Sequence, residues 1–126
     1  MCGIVGYVGA RSPAPILIEG LKRLEYRGYD SSGIATMNGN GRIFVHKREG
    51  RIRNMEHNLP DELPPATLGI AHTRWATHGA PSDINSHPHL SADGMIAVVH
   101  NGIVENHRSL RQMLTKEGVV FHSDTD

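Results

Sequence analysis

Only one cysteine occurs among the 126 residues, so no intrachain disulfide can form and no cysteine cluster exists to hold a metal. Aromatic residues are scarce, at 5% with a single tryptophan, which leaves the core to aliphatic side chains. Neither sign of charge is in excess. Lys+Arg 13 balance Asp+Glu 13, and the electrostatic footprint of a nucleic-acid or anionic-membrane binder is missing. No apolar run approaches the roughly 20 residues of a membrane span. The N-terminus also lacks the charged and apolar regions of a signal peptide. What remains is the length of one ordinary domain with 38% hydrophobic residues, enough to build a core. A soluble, reducing, cytoplasmic setting is the expectation.

The patterning is that of a mixed α and β chain. Ile4 to Val8 is a short apolar run interrupted by Gly6 and reads as a strand. Ser12-Pro13-Ala14-Pro15 starts a helix that carries Leu17, Leu21 and Leu24 at helical spacing. Arg27 to Gly33 is rich in turn residues. Ile34 to Met37 and Arg42 to His46 flank Asn38-Gly39-Asn40-Gly41, the pattern of a β-hairpin. A short polar helix is expected over Arg51 to Leu59, and buried strands over Thr67 to Thr73 and Met95 to Val99. Between those strands, Ala76 to Asp93 is loop-like. Glu105 to Lys116 reads as a helix with Leu110, Met113 and Leu114 on one face, and Val119-Val120-Phe121 as the start of a further strand. The chain stops directly after it, at an edge a complete domain would cover, so a fragment is expected.

Cys2, directly behind Met1, is the candidate nucleophile. If Met1 is removed, thiol and α-amine sit on one carbon. Their reference pKa values, about 8.5 and about 8, let the amine take the thiol proton near neutral pH. A lone cysteine is otherwise a small buried hydrophobe. Three further segments carry chemistry. Arg74-Trp75-Ala76-Thr77-His78-Gly79 follows a strand. Its arginine suits bidentate capture of a carboxylate, its threonine adds a donor and its tryptophan a wall; a surface ion pair beside a packed tryptophan is the alternative. His100-Asn101-Gly102 is a turn signal that also offers an amide and a backbone N–H as oxyanion donors. Asp126 adds a carboxylate near the chain end. Nine histidines raise the question of zinc, but their spacing matches no metal motif. No metal and no cofactor are expected, and His87 and His89 are read as organising their loop.

Met1-Cys2-Gly3-Ile4-Val5-Gly6, Arg23-Leu24-Glu25-Tyr26-Arg27-Gly28-Tyr29-Asp30-Ser31 and His72 to Gly79 resemble the class II glutamine amidotransferases, as do His87-Pro88-His89 and His100 to Asn106. These belong to the N-terminal-nucleophile hydrolases, and the likeness is to their sugar-phosphate branch. The amidophosphoribosyltransferase and asparagine synthetase types differ around the Arg74 to His78 and Tyr26 to Asp30 blocks.

The resemblance implies an α+β fold of two stacked antiparallel sheets flanked by helices, incomplete in this chain. Residues 1–126 would be the N-terminal portion of a glutaminase domain, without isomerase domains. It implies that Cys2 attacks the side-chain amide of L-glutamine, with Asn101 and Gly102 forming the oxyanion hole. Arg74 and Thr77 would hold the substrate carboxylate, with His78 adjoining them in the substrate site, and Asp126 with the Gly102 carbonyl would receive its ammonium. Trp75 would close the pocket, and His87 and Arg27 would support the site. The ammonia would serve conversion of fructose 6-phosphate to glucosamine 6-phosphate by the isomerase domains of a homodimeric full-length enzyme. The alternatives are a glutaminase domain of another class II type, or an inactive fragment.

Overall fold

The computed structural model describes residues 1–126. Its elements run β1 (Gly3–Val8), α1 (Pro13–Leu24), a 3-10 turn over Glu25–Arg27, β2 (Ser31–Met37), β3 (Ile43–Glu49), α2 (Ile52–His57), β4 (Leu68–Arg74), β5 (His89–Leu90), β6 (Ala97–Val98) and α3 (His107–Lys116). β1 to β4 form one antiparallel sheet in the order β1-β4-β2-β3, and β5 and β6 form a separate two-stranded ribbon. Antiparallel sheets with helices are the α+β class that the resemblance implies.

Alternation along β4 divides the molecule into a core face and a site face, as a period of two requires. Ala71 is buried in the core against Leu17, Ile18 and Leu21 of α1, Ile52 and Met55 of α2, and Ile34 of β2. The same face carries Thr73, whose Oγ1 accepts the Gly3 N–H at 3.2 Å and so fixes the start of β1. α1 begins with Pro13 at its first position, where a missing N–H leaves no helical bond unmade. Fully burying Leu17 and Leu21 contributes about 1.5–3 kcal/mol each. His72 and Arg74 take the opposite face. The register places Ile4, His72, Gly33 and Lys47 in one row across the sheet on that side.

Three expectations are corrected. Ser31 to Gly33 belong to β2 rather than to a turn. Met95 to Val99 is not a buried strand: only Ala97–Val98 pair, and Met95, Ile96 and Val98 are more than half exposed. Val119 to Phe121 forms no strand. The apolar face foreseen on the last helix exists, yet α3 buries no residue, and Phe121 instead lies under the Arg111 guanidinium at 4.6 Å. Ser31 to Gly33 become strand because β3 and β4 pair with them on both sides, whereas Met95 to Val99 and Val119 to Phe121 carry an apolar pattern without the partner surface that a buried strand needs.

Candidate active site

Where β1 begins and β4 ends, a cavity of about 430 Å³ opens on the site face, lined by residues that include Cys2, Arg27, Arg74, Trp75, Thr77, His78, His87, Asn101, Gly102 and Asp126. All ten residues to which the resemblance gives a site role therefore meet in one place. Antiparallel pairing of Gly3 with Thr73 brings the N-terminus beside the end of β4. Cys2 Sγ accepts the Trp75 N–H at 3.2 Å and lies 3.7 Å from the Trp75 carbonyl. Met1 also lines the cavity, with its Sδ 3.0 Å from Arg27 Nη2.

Arg74 is buried and spends its guanidinium on the loop that follows it. Nη1 donates to the Ala80 carbonyl at 3.4 Å, while Nη2 donates to the carbonyls of His78 and, at 3.0 Å, Gly79. The arginine thus folds Trp75 to Ala80 around itself, and this hold on the loop was not foreseen from sequence. Gly79 sits at φ +76°, a conformation disfavoured for other residues. On the other flank, Asp30 accepts the Ala76 N–H. Trp75 remains half exposed, its ring edge-on to Tyr29 at 5.6 Å between centroids.

Asn101 reaches the nucleophile directly, its Nδ2 donating to the Cys2 carbonyl at 3.2 Å. Its Oδ1 lies 2.7 Å from His72 Nε2. At Gly102 a Cβ would come within 3.0 Å of the His100 ring, so the chain turns there past that imidazole. Asp126 accepts the Val104 N–H at 2.5 Å, which sets its carboxylate at the cavity wall below α3. His78 lines the cavity and its ring lies 5.4 Å from that of His107.

Sequence reasoning passed over two features. The first is a column of imidazoles. His72 stacks on His87 at 4.4 Å, and His87 meets His89 edge-on at 4.5 Å. Burial pushes His72 down to about 4, with Asn101 opposing and Arg74 adding to the shift. Burial and then the neighbouring histidines push His87 down to about 2. His89 falls to about 4, through burial and then Lys47. All three are neutral near pH 7. Their rings meet by their faces and edges, and no group of three or more His, Cys, Asp or Glu side chains is arranged to hold a metal ion. His89 Nε2 bonds Thr125 Oγ1 at 3.0 Å, tying the column to the residue before Asp126.

The second feature is Lys47, whose ammonium donates to the carbonyls of Ser86 at 2.8 Å, Pro88 at 3.2 Å and Ile84 at 3.4 Å. Burial lowers its pKa, and no carboxylate pairs with it. Three carbonyls satisfy its three donors, so the lysine fastens the histidine loop to the sheet.

A family described as a glutamine amidotransferase domain matches residues 50–126. Two curated proteins named glutamine–fructose-6-phosphate aminotransferase [isomerizing] are similar over the whole chain. The one from Caldanaerobacter subterraneus is 57% identical and the one from Pyrococcus horikoshii 55% identical, and in each case the chain spans 21% of the relative's length. Among solved structures, the glutamine phosphoribosylpyrophosphate amidotransferase from B. subtilis superposes with a TM-score of 0.82 at 28% identity. It covers all of this chain, which spans 27% of that one.

Proposed function

Since the chain belongs to the glutamine amidotransferase family, we propose that its cavity hydrolyses the side-chain amide of L-glutamine with Cys2 as nucleophile. The observation that carries this reading is the convergence of Cys2, Asn101, Gly102, Arg74, Thr77, His78 and Asp126 on one wall-to-wall space. Glutamine needs a nucleophile and two donors at its amide, a cationic or hydroxylic cradle for its carboxylate and an acid for its ammonium. The cavity offers each of these.

Removal of Met1 frees the Cys2 α-amine to take the thiol proton. The sulfur then bonds to the amide carbon, and the oxygen of the tetrahedral intermediate faces the Asn101 amide and the Gly102 N–H. Collapse breaks the carbon–nitrogen bond, the α-ammonium returns its proton to the leaving nitrogen, and ammonia departs. Water adds to the thioester carbon and releases glutamate and the thiol. Arg74 acts on the carboxylate end by shaping the Trp75 to Ala80 loop, from which Thr77 and His78 line the cavity. Trp75, half exposed beside the thiol, closes over bound substrate. His87 supports the site from the imidazole column, and Arg27 supports it from the cavity lining.

In this reading residues 1–126 are the N-terminal portion of a glutaminase domain. The whole protein passes the ammonia to fructose 6-phosphate, yielding glucosamine 6-phosphate, as a cytoplasmic homodimer. The supporting fact is the 52–57% identity to proteins of that name. No helix is long and apolar enough to cross a membrane.

Intact-mass analysis with a glutamine analogue bearing an electrophile at the amide position tests the reading. Loss of Met1 with one adduct on Cys2, blocked by glutamine, is expected. An adduct that glutamine fails to block, or labelling elsewhere, would remove Cys2 from this role.

A further inference from the structure

The Asn101 amide has two orientations, and its neighbours choose between them. The Cys2 carbonyl is an acceptor only, so the atom 3.2 Å from it must be the donor Nδ2. Oδ1 is thereby turned to the atom 2.7 Å away, His72 Nε2, which must carry the proton. His72 is fully buried, and its Nδ1 has no hydrogen-bond partner. A free tautomer choice would let the ring place its proton elsewhere; the bond to Asn101 holds it on Nε2 and leaves the other nitrogen bare. The ring itself is clamped by the His87 face at 4.4 Å. Its own strand position, opposite Gly33 and Ile4, is fixed by pairing on both sides. His87 also accepts the His100 N–H at Nδ1, at 3.4 Å, holding the backbone that leads into Asn101.

We propose that His72 is a positioning residue, whose Nε2–H holds the Asn101 amide with its N–H edge toward Cys2 so that Asn101 serves as oxyanion donor. His72 touches neither the thiol nor the substrate amide. It acts only through Asn101, whose oxyanion role is the reading given above.

The test is steady-state glutamate release by the protein at its natural length, comparing Asn101→Ala, His72→Phe, His72→Gln and the double variant His72→Phe/Asn101→Ala. Asn101→Ala is expected to lower kcat by about 10²–10³. His72→Phe keeps the ring volume and removes the donor; it lowers kcat tenfold or more with KM nearly unchanged. His72→Gln restores most of the loss, because its carboxamide N–H can replace the donor. The double variant is no slower than Asn101→Ala, since nothing is left to orient. An unchanged kcat in His72→Phe, or losses that multiply in the double variant, would overturn the proposal. An undiminished kcat in Asn101→Ala would remove the oxyanion reading itself. If His72→Phe fails to fold, ¹⁵N spectra of the unsubstituted protein decide: a proton on His72 Nε2 supports the proposal, and one on Nδ1 overturns it.

Discussion

Gly33→Ala separates local propensity from packing, because the two predict opposite signs. Adding a methyl group inside a strand should stabilise the chain by about 0.5–1 kcal/mol through reduced backbone entropy. At Gly33, however, the new carbon would lie 2.3 Å from the His87 carbonyl oxygen and 2.6 Å from Lys47 Cβ. Ordinary contact begins near 3.4 Å, so the carbonyl must retreat by about 1 Å. It cannot do so freely, since the Lys47 ammonium grips the carbonyls on either side, those of Ser86 and Pro88. Overpacking of this kind costs about 1–3 kcal/mol. Stretching one charge-assisted bond costs up to about 1.5–3 kcal/mol more. The net expectation is a loss of about 3 kcal/mol, or a melting temperature lower by ~6 °C or more. His87 would move with its carbonyl, so labelling of Cys2 by the electrophilic glutamine analogue should slow as well. Scanning calorimetry and labelling rates on the protein at its natural length measure both effects. A variant as stable as the parent, or more so, would show that the histidine loop does not seat on Gly33.

The remaining predictions concern charge and donors. Arg74→Lys replaces a planar fork by a point charge, which cannot serve the His78, Gly79 and Ala80 carbonyls together. Losing one such bond, worth about 1.5–3 kcal/mol, should raise KM for glutamine tenfold or more, and an unchanged KM would dismiss the cradle. The imidazole column should make the fold acid-labile. The unfolded chain binds protons near pH 6.5, while folded His72 and His87 bind them only near 4 and 2. Stability is therefore complete above pH 6.5 and falls as the pH drops below it, by up to about 1.4 kcal/mol per histidine per pH unit. Melting temperatures at pH 7.5 and 5.5 test this, and equal values would refute it. Thr73→Val leaves the Gly3 N–H without its acceptor, at a cost of about 1–3 kcal/mol. Faster hydrogen exchange at Gly3 is expected, and unchanged protection would count against the anchor.

Much of the architecture was legible because it is written locally. α1 announces itself through Pro13 and the spacing of Leu17, Leu21 and Leu24, and the β2–β3 hairpin through Asn38 to Gly41. The cavity residues were legible as motif blocks, and the fold gathers all ten. What stayed hidden depends on distant partners. His72 looked like any strand histidine until Asn101, 29 positions later, arrived beside it. Lys47 lies just past the strand expected over Arg42 to His46, and only the loop laid over Gly33 turns it into a fastening. Met95 to Val99 shows the reverse error, where apolar residues suggested burial and only Ala97 and Val98 found partners.

Because β4 serves the core with Ala71 and Thr73 and the cavity with His72 and Arg74, it has a reading frame. Deleting one residue in it would exchange the two sets. A guanidinium and an imidazole would enter the aliphatic interior, and methyl groups would replace them at the cavity wall. Evolutionary drift along this strand is therefore restricted to substitution. Changes of length are left to places such as the Asn38 to Arg42 turn, where a slipped frame alters neither side of the sheet.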